Sequence, residues 1–309
     1  MKVFFAGSPP SSALILELLT KQGIIPSLVI TQPDRPQGRN RKIKPSEVAI
    51  QAAKLGIDTV KPEKLDEDFI RSSILEHGKP DFILVSAYGK ILPSILLDFP
   101  SIAPINVHFS ILPKYRGASP IQESLLNSDF EFGYSIMKMD AGLDTGPVYF
   151  SKKIQCHNFE TKIDIEKKIA IDAANELPDI LRNISNGNLF AAKQENKNAS
   201  FCTKVTKASG LITHDFSSGK INNMFRAYFD WPGIYFLSGS LNIKIHGLEM
   251  VSPENLPDFK GKKTIIYNNK IYFKTVDGAI VITHLQLPGK KAIPSSDFIN
   301  SNQIIFEEL

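Results

Sequence analysis

Apolar runs of strand length alternate with amphipathic segments over the first third of the chain. Residues 3–6 form such a run, and residues 11–19 follow with leucines at helical spacing. The same alternation continues, and it predicts strands at 27–31, 57–60, 82–87 and 104–108 and helices at 46–55, 66–76 and 93–97. Alternating strands and helices are typical of a parallel, doubly wound sheet. The sequence therefore predicts an α/β fold built on a Rossmann-like sheet.

The pattern changes in the second half of the chain. Residues 134–139 and 148–154 are predicted as a pair of strands, and residues 161–183 as one long helix. The segment 189–204 is polar, so we predict a linker there. A first domain, residues 1–188, would end where this linker begins.

Short strand-like runs occupy residues 205–309, which we predict to be a second domain. Turn residues such as Asn268-Asn269 and Asp277-Gly278 separate these runs. Short strands between such turns are typical of a small, OB-like β-barrel.

Composition narrows the class of protein. Hydrophobic residues make up 42% of the 309 residues and charged residues 22%, which is ordinary for a soluble globular protein. No apolar run approaches the length of a membrane span. Cys156 and Cys202 have neither CxxC nor Cys/His metal spacing, which indicates unpaired thiols in a reducing compartment. We expect a cytoplasmic protein without a membrane partner, and a monomer.

Positive charge is concentrated in one loop, although the net charge of the chain is only +4. The segment 34–44 contains one acidic residue, Asp34, and five basic residues, Arg35, Arg39, Arg41, Lys42 and Lys44. Such a surplus suits a partner with phosphates, while a solvated surface is the ordinary alternative.

Three polar residues are candidates for chemistry. Asn106 and His108 alternate along a predicted strand, so their side chains share one face of the sheet. Asp144 lies in a loop between Gly142 and Gly146, which allow a tight turn. An amide, an imidazole and a carboxylate can stabilise an oxyanion and manage a proton. Individually, a structural histidine and a turn aspartate are the plainer interpretations, and we assign Asp140 to a turn.

The motifs around these residues resemble those of the folate-dependent formyltransferases. Asn106-Val107-His108 is followed by Ser110-Ile111-Leu112-Pro113, and Asp144 lies within Gly142-Leu143-Asp144-Thr145-Gly146. The resemblance implies that Asn106, His108 and Asp144 are catalytic, and that 10-formyltetrahydrofolate donates the formyl group without a metal. It also implies a donor site formed by Ser110, Ile111, Leu112, Pro113, Tyr88 and Gly89.

Features outside these motifs resemble the members of the family that act on initiator methionyl-tRNA. They are the loop at residues 31–39, Arg226-Ala227-Tyr228 with Trp231-Pro232, and the stretch 285–292. The resemblance implies tRNA contacts by the basic residues Arg39, Arg41, Lys42, Lys204 and Arg226.

Three other interpretations remain open. A formyltransferase acting on a nucleotide-sugar amine would use the same Asn106, His108 and Asp144 but would not need the basic loop. A nicotinamide-dependent oxidoreductase would suit the sheet, yet no G-x-G-x-x-G follows the first strand. A non-catalytic RNA-binding protein would leave the three polar residues without a purpose.

Overall fold

The computed structural model describes residues 1–37, 42–129 and 131–302. These residues divide into two units. The first unit comprises the described parts of residues 1–121, 131–156 and 164–203, and the second those of residues 122–129, 157–163 and 204–302.

The first unit is built on a seven-stranded sheet. In chain order, the strands of the described part of this unit are β1 (Val3–Gly7), β2 (Leu28–Ile30), β3 (Arg35–Gln37), β4 (Lys42–Lys44), β5 (Thr59–Val60), β6 (Phe82–Ser86), β7 (Ala103–His108), β8 (Arg116–Gly117), β9 (Phe132–Lys138), β10 (Val148–Ile154) and β11 (Phe201–Cys202). β3 pairs with β4 and β8 pairs with β11 outside the seven-stranded sheet. The sheet order is β10-β9-β7-β6-β1-β2-β5, in which β9 runs antiparallel to both of its neighbours, β7 and β10, and the other pairs are parallel. The predicted Rossmann-like sheet and the predicted strand pair are confirmed.

Burial explains why these strands form. Every residue of β1 and β6 is buried, which is the pattern of a parallel strand covered on both faces. Helices α1 (Pro10–Lys21), α2 (Glu47–Leu55), α3 (Glu67–Ser73) and α4 (Ser94–Leu97) belong to the first unit, most of α5 (Pro120–Leu126) belongs to the second, and nearly all of α6 (Lys162–Ser185) belongs to the first. Ser12 of α1 is fully buried, and its hydroxyl donates to the Ser86 carbonyl oxygen at 2.6 Å. This bond holds the start of α1 against the end of β6.

Two features of the first unit were not predicted. Residues 32–39 were expected to form a loop, but β3 and β4 form an antiparallel pair, with Arg35 opposite Lys44. Neither strand alternates apolar and polar residues, so periodicity gave no signal. Within the predicted linker, β11 pairs in parallel with β8. The boundaries at 188 and 204 stay a prediction.

The second unit contains an antiparallel half-barrel sheet, which confirms the predicted change of fold class. Its strands are β12 (Ile234–Ser238), β13 (Leu241–Met250), β14 (Thr264–Tyr267), β15 (Lys270–Thr275), β16 (Gly278–Gln286) and β17 (Ile293–Pro294), in the order β12-β13-β16-β15-β14 with β17 beside β16. Asn268 and Asn269 link β14 to β15 with φ of +48° and +56°, as their turn chemistry requires. Helices α7 (Ser218–Ala227) and α8 (Ser295–Asn302) were missed, because both are rich in polar residues.

The partly exposed carboxylate of Asp81 gives the first unit a pH-dependent stability. The backbone N–H of Lys2 donates to the Asp81 carboxylate at 2.7 Å, and the Ser101 hydroxyl donates at 3.0 Å. The Lys2 hydrogen bond lowers the pKa of Asp81 below its ordinary value. Stability from this group is therefore present above the unfolded pKa and is lost as the pH falls through the lowered folded pKa.

We predict that Asp81→Asn lowers the free energy of unfolding by about 1–2 kcal/mol near neutral pH, since a hydrogen bond to a charged acceptor is replaced by one to a neutral amide. Chemical unfolding of both proteins between about pH 7 and pH 3 should show this difference shrinking with acid. A difference that stays constant over that range would contradict the assignment.

Candidate active site

The end of β7 carries the two side chains that the sequence predicted to act together. Asn106 and His108 alternate along the strand and lie on one face. β7 runs between β6 and β9, with His108 opposite Ser135 of β9. His108 is 6% exposed, whereas Asn106 is half-buried. The carboxyl end of a parallel strand is where open α/β sheets bind ligands.

Tyr115 fixes the orientation of the His108 ring. Its backbone oxygen lies 3.0 Å from Nε2 of His108. A carbonyl oxygen only accepts, so Nε2 carries the hydrogen and Nδ1 faces Asp144. The Oδ2 atom of Asp144 lies 3.7 Å from Nδ1, beyond hydrogen-bonding distance. In the imidazolium form both ring nitrogens would have a favourable partner.

Asp144 is held by the loop that follows β7. Its Oδ2 atom accepts a hydrogen bond from the backbone N–H of Gly117 at 2.8 Å, and its Oδ1 atom lies 3.5 Å from Nδ2 of Asn106. The residue has a φ of +53°, a left-handed conformation that aspartate tolerates better than most residues. Asn106, His108 and Asp144 therefore come together as predicted.

Glycine is required at position 117. Its φ is +125°, and an added Cβ would overlap the carbonyl oxygen of Cys202 on the neighbouring strand. Only a residue without a side chain brings its N–H to Asp144 in this way.

Asp140 has the turn role predicted for it. Its Oδ1 atom accepts hydrogen bonds from the Gly142 N–H at 3.0 Å and from the Thr145 hydroxyl at 2.7 Å. Both donors lie within the same loop, so this carboxylate stabilises the turn.

The predicted donor loop is organised by one buried hydroxyl, that of Ser135. It donates to the Ser110 carbonyl oxygen at 2.8 Å and accepts from the Leu112 N–H at 2.9 Å. The Ser151 hydroxyl lies 2.8 Å away and completes the set. The side chains of Ser110 and Leu112 are buried, while Ile111 and Pro113 are half-buried. The loop is thus fixed through its backbone.

Tyr88, predicted for the donor site, has its ring in the core, so only its backbone is placed to face a ligand. The side chain is 2% exposed, and burial raises the pKa of Tyr88 to about 12. The backbone carbonyl oxygen of Tyr88 accepts hydrogen bonds from the Ser8 hydroxyl at 3.2 Å and from the Gln32 side-chain amide at 3.0 Å. Gly89 is exposed, with a φ of +79°. A ligand at this edge would meet Gly89 and the peptide group of Tyr88.

Sequence reasoning missed the contribution of residues 189–203. Gln194 bridges the side chain of Arg116 and the backbone of the Asp144 loop. The Ser200 hydroxyl accepts from the N–H of Tyr115 at 2.9 Å. These residues show neither periodicity nor a motif, so they were taken for a linker. The sequence carries no signal for this contribution, because the burial of the Arg116 guanidinium, which requires acceptors from elsewhere in the chain, is visible only in the structure.

The predicted tRNA-binding residues fall into three groups. Arg39 and Arg41 lie outside the described residues. Lys42 on β4 and Lys204 are exposed. Arg226 is 4% exposed, and its guanidinium donates to the carbonyl oxygens of Glu160 at 2.8 Å and His157 at 3.4 Å. It anchors backbone within the second unit, and a direct phosphate contact would require it to leave these bonds.

Comparison with known proteins shows the family to which this chain belongs. Residues 1–181 match the formyl transferase family, and residues 204–303 match the formyl transferase C-terminal domain. The chain belongs to the formyl transferase family. It is 37% identical over 308 residues to a methionyl-tRNA formyltransferase from Caldicellulosiruptor saccharolyticus, covering 98% of each chain. It is 33% identical to a methionyl-tRNA formyltransferase from Thermotoga maritima, covering 99% of this chain and 96% of that one.

Solved structures of formyltransferases share the fold. WlaRD, a sugar 3N-formyl transferase, superposes with a TM-score of 0.65 at 20% identity, covering 94% of this chain and 99% of that chain. Among the described residues of this formyltransferase, no group of three or more His, Cys, Asp or Glu side chains could hold a metal ion. Within the same residues, no helix combines the length and apolar character needed to cross a bilayer.

We predict that Ser135→Ala lowers the free energy of unfolding of this formyltransferase by about 2–4 kcal/mol, because the Leu112 N–H and the Ser110 carbonyl would both be buried without a partner. Ser151→Ala is the matched control. It removes a neighbouring hydroxyl but leaves every backbone N–H and carbonyl with its partner. The Ser151→Ala substitution should therefore lower the free energy of unfolding by less than about 1 kcal/mol. Denaturant unfolding measures both, and equal losses would count against the ordering role of Ser135.

Proposed function

We propose that the chain transfers the formyl group of 10-formyltetrahydrofolate to the α-amino group of methionine on initiator tRNA. The observation that carries the proposal is the convergence of Asn106, His108 and Asp144 in a member of the formyl transferase family. The relatives named methionyl-tRNA formyltransferase match nearly the whole chain and support the choice of acceptor.

The reaction exchanges one carbon–nitrogen bond for another. The α-amino nitrogen of methionine forms a bond to the formyl carbon, and the bond between that carbon and N10 of the folate breaks. The amine loses one proton, and the departing N10 gains one. The site must therefore stabilise the formyl oxygen as it becomes negative and carry a proton between two nitrogens.

Asn106 and His108 are the proposed donors to the formyl oxygen. The amide of Asn106 has two hydrogens, and its contact with Asp144 Oδ1, at 3.5 Å, is at the outer limit of hydrogen bonding. Nδ1 of His108 donates in the imidazolium form, because Nε2 is already committed to Tyr115. Removing one such donor typically costs about 3–4 kcal/mol of transition-state stabilisation, or roughly 10²–10³ in rate.

Asp144 is the proposed proton carrier. One oxygen is fixed by the Gly117 N–H, and the other faces Asn106. Its side chain is 13% exposed, so an incoming amine or a water molecule can reach it. The carboxylate takes the proton from the attacking amine, directly or through water, and its charge stabilises the protonated His108 ring.

Folate binding is proposed at the edge formed by the Ser110–Pro113 loop and Gly89. The half-buried Ile111 and Pro113 offer apolar contact to a pterin ring, and Gly89 offers exposed backbone. Ser110 and Leu112, which are buried, support the loop from within. No resident metal is required, since the N-formyl group is already an activated acyl donor.

Transfer RNA binding is proposed for exposed basic residues. Lys42 and Lys204 are suited to phosphate contacts, and the sequence adds Arg39 and Arg41 in the basic loop. We propose that Arg226 supports tRNA binding indirectly, by anchoring backbone of the second unit. The reaction belongs in the cytoplasm, where translation begins, and we expect the chain to act as a monomer without a membrane partner.

Asp144→Asn tests the proton carrier. The asparagine can still accept from Gly117, but it loses the charge and the basic oxygen, so kcat should fall by about 10²–10⁴ with the KM values nearly unchanged. Asp140→Asn is the matched control, because an amide oxygen can accept from the same two donors, and its kcat should stay near the wild-type value. Single-turnover formylation assays measure both. Comparable activity of Asp144→Asn and wild type would refute the role.

The acceptor is tested by supplying 10-formyltetrahydrofolate with charged initiator Met-tRNA, charged elongator Met-tRNA or an amino-sugar nucleotide. We expect formyl-methionine on the initiator tRNA and no transfer to the sugar nucleotide, because the relatives that match nearly the whole chain are named methionyl-tRNA formyltransferases. Transfer to the sugar nucleotide with none to tRNA would establish the alternative acceptor class.

A further inference from the structure

Gln194 makes four hydrogen bonds that join two parts of the site. Its Oε1 atom accepts from Nη2 of Arg116 at 2.7 Å and from Nε at 3.1 Å. Its Nε2 atom donates to the backbone oxygens of Asp144 at 2.9 Å and Gly146 at 2.7 Å. The side-chain amide is thus saturated, and its two hydrogens go to the loop that carries the proposed proton carrier.

The orientation of this amide is fixed by its partners. A guanidinium only donates and a backbone carbonyl only accepts, so Gln194 can bind in this sense alone. Arg116 is 3% exposed, and its charge polarises the amide that it contacts. A polarised amide is a stronger donor on its other side, so the Arg116 contact strengthens the bonds to Asp144 and Gly146.

The Asp144 loop needs such a tether because of where it starts. Lys138, the last residue of β9, lies opposite Ile105, three residues before His108 on β7. The loop must therefore return by about 10 Å along β7 to bring Asp144 beside His108. Asp144 also has a positive φ, which persists only where the surroundings enforce it.

Three consecutive residues of the β7 loop close the network. Tyr115 holds the His108 ring, Arg116 holds Gln194, and Gly117 holds the Asp144 carboxylate. Gln194 then returns to the backbone of Asp144. The result is a closed ring of hydrogen bonds through Arg116, Gln194, Asp144 and Gly117, with the imidazole attached to it.

We propose that Gln194 is a positioning residue for formyl transfer, which sets the distance between Asp144 and His108 through the backbone of the Asp144 loop. The proposal rests on the proposed function of this site. It concerns how the proton carrier is placed, and it assigns no substrate contact to Gln194.

Gln194→Glu tests the proposal with little change in shape. The carboxylate still accepts from Arg116, so that half of the network and the fold are retained. It cannot donate to the two backbone oxygens and repels them, so the loop carrying Asp144 is released. We expect kcat to fall by about 10–100-fold, by analogy with the loss of residues that orient metal ligands through hydrogen bonds, while the KM values for folate and tRNA stay within about twofold.

Gln22→Glu is the matched control. The Gln22 amide also donates to two backbone oxygens, those of Leu18 at 3.2 Å and Ala174 at 3.1 Å, but it belongs to no part of the site. Its kcat should remain at the wild-type value. Gln194→Ala serves as a second variant, judged by the same kcat and KM criteria should Gln194→Glu unfold in thermal melts.

The possible results separate the two claims. A folded Gln194 variant with wild-type kcat overturns the positioning role, and so does a rise in KM for either substrate at constant kcat. A wild-type chain that forms no formyl-methionine on initiator tRNA instead refutes the proposed function. A selective loss of kcat in the Gln194 variants, beside an active wild type and an active Gln22→Glu, supports both.

Discussion

The hydrogen bond from the Gly117 N–H to the Asp144 carboxylate is the contact on which the arrangement of the site depends. It joins the loop after β7 to the loop between β9 and β10. Because Tyr115 holds the His108 ring two residues earlier, one short stretch of backbone sets the positions of both ionisable groups. A displacement of about 1 Å here would change both together, and reaction rates respond to such errors by roughly 10²-fold.

The buried central strands of the sheet provide the rigid support for this contact. β1 and β6 are covered on both faces, so β7 is carried by a rigid layer. The hydroxyl of Ser135 then transmits that rigidity to the loop, since it binds the backbone at Ser110 and Leu112. β11 adds a second support, pairing with the two-residue strand that contains Gly117. The loop is therefore irregular in conformation but bonded on both sides.

The sequence predicted the parallel sheet and the three central polar residues, because each of these leaves a local signal. Strand period places Asn106 and His108 on one face, and the paired glycines mark the loop of Asp144. Gln194 leaves no such signal, since its partners lie far away in the chain and a polar segment without periodicity is the ordinary pattern of a linker. The distance between Asp144 and His108 was equally beyond prediction. It depends on Tyr115 and Gly117, whose roles arise only from the folded loop.

The neutral amide between Arg116 and Asp144 has a physical rationale. A buried guanidinium is costly unless it is well hydrogen-bonded, and a direct ion pair with Asp144 would satisfy it. Such a pair would also hold the carboxylate in its charged form and weaken it as a proton acceptor. Gln194 and Asn196 accept the guanidinium hydrogen bonds instead, and Gln194 passes the polarisation to the backbone of the loop. The positive charge of Arg116 therefore reaches the Asp144 loop through a neutral amide, as the proposed role of Asp144 as a proton carrier requires.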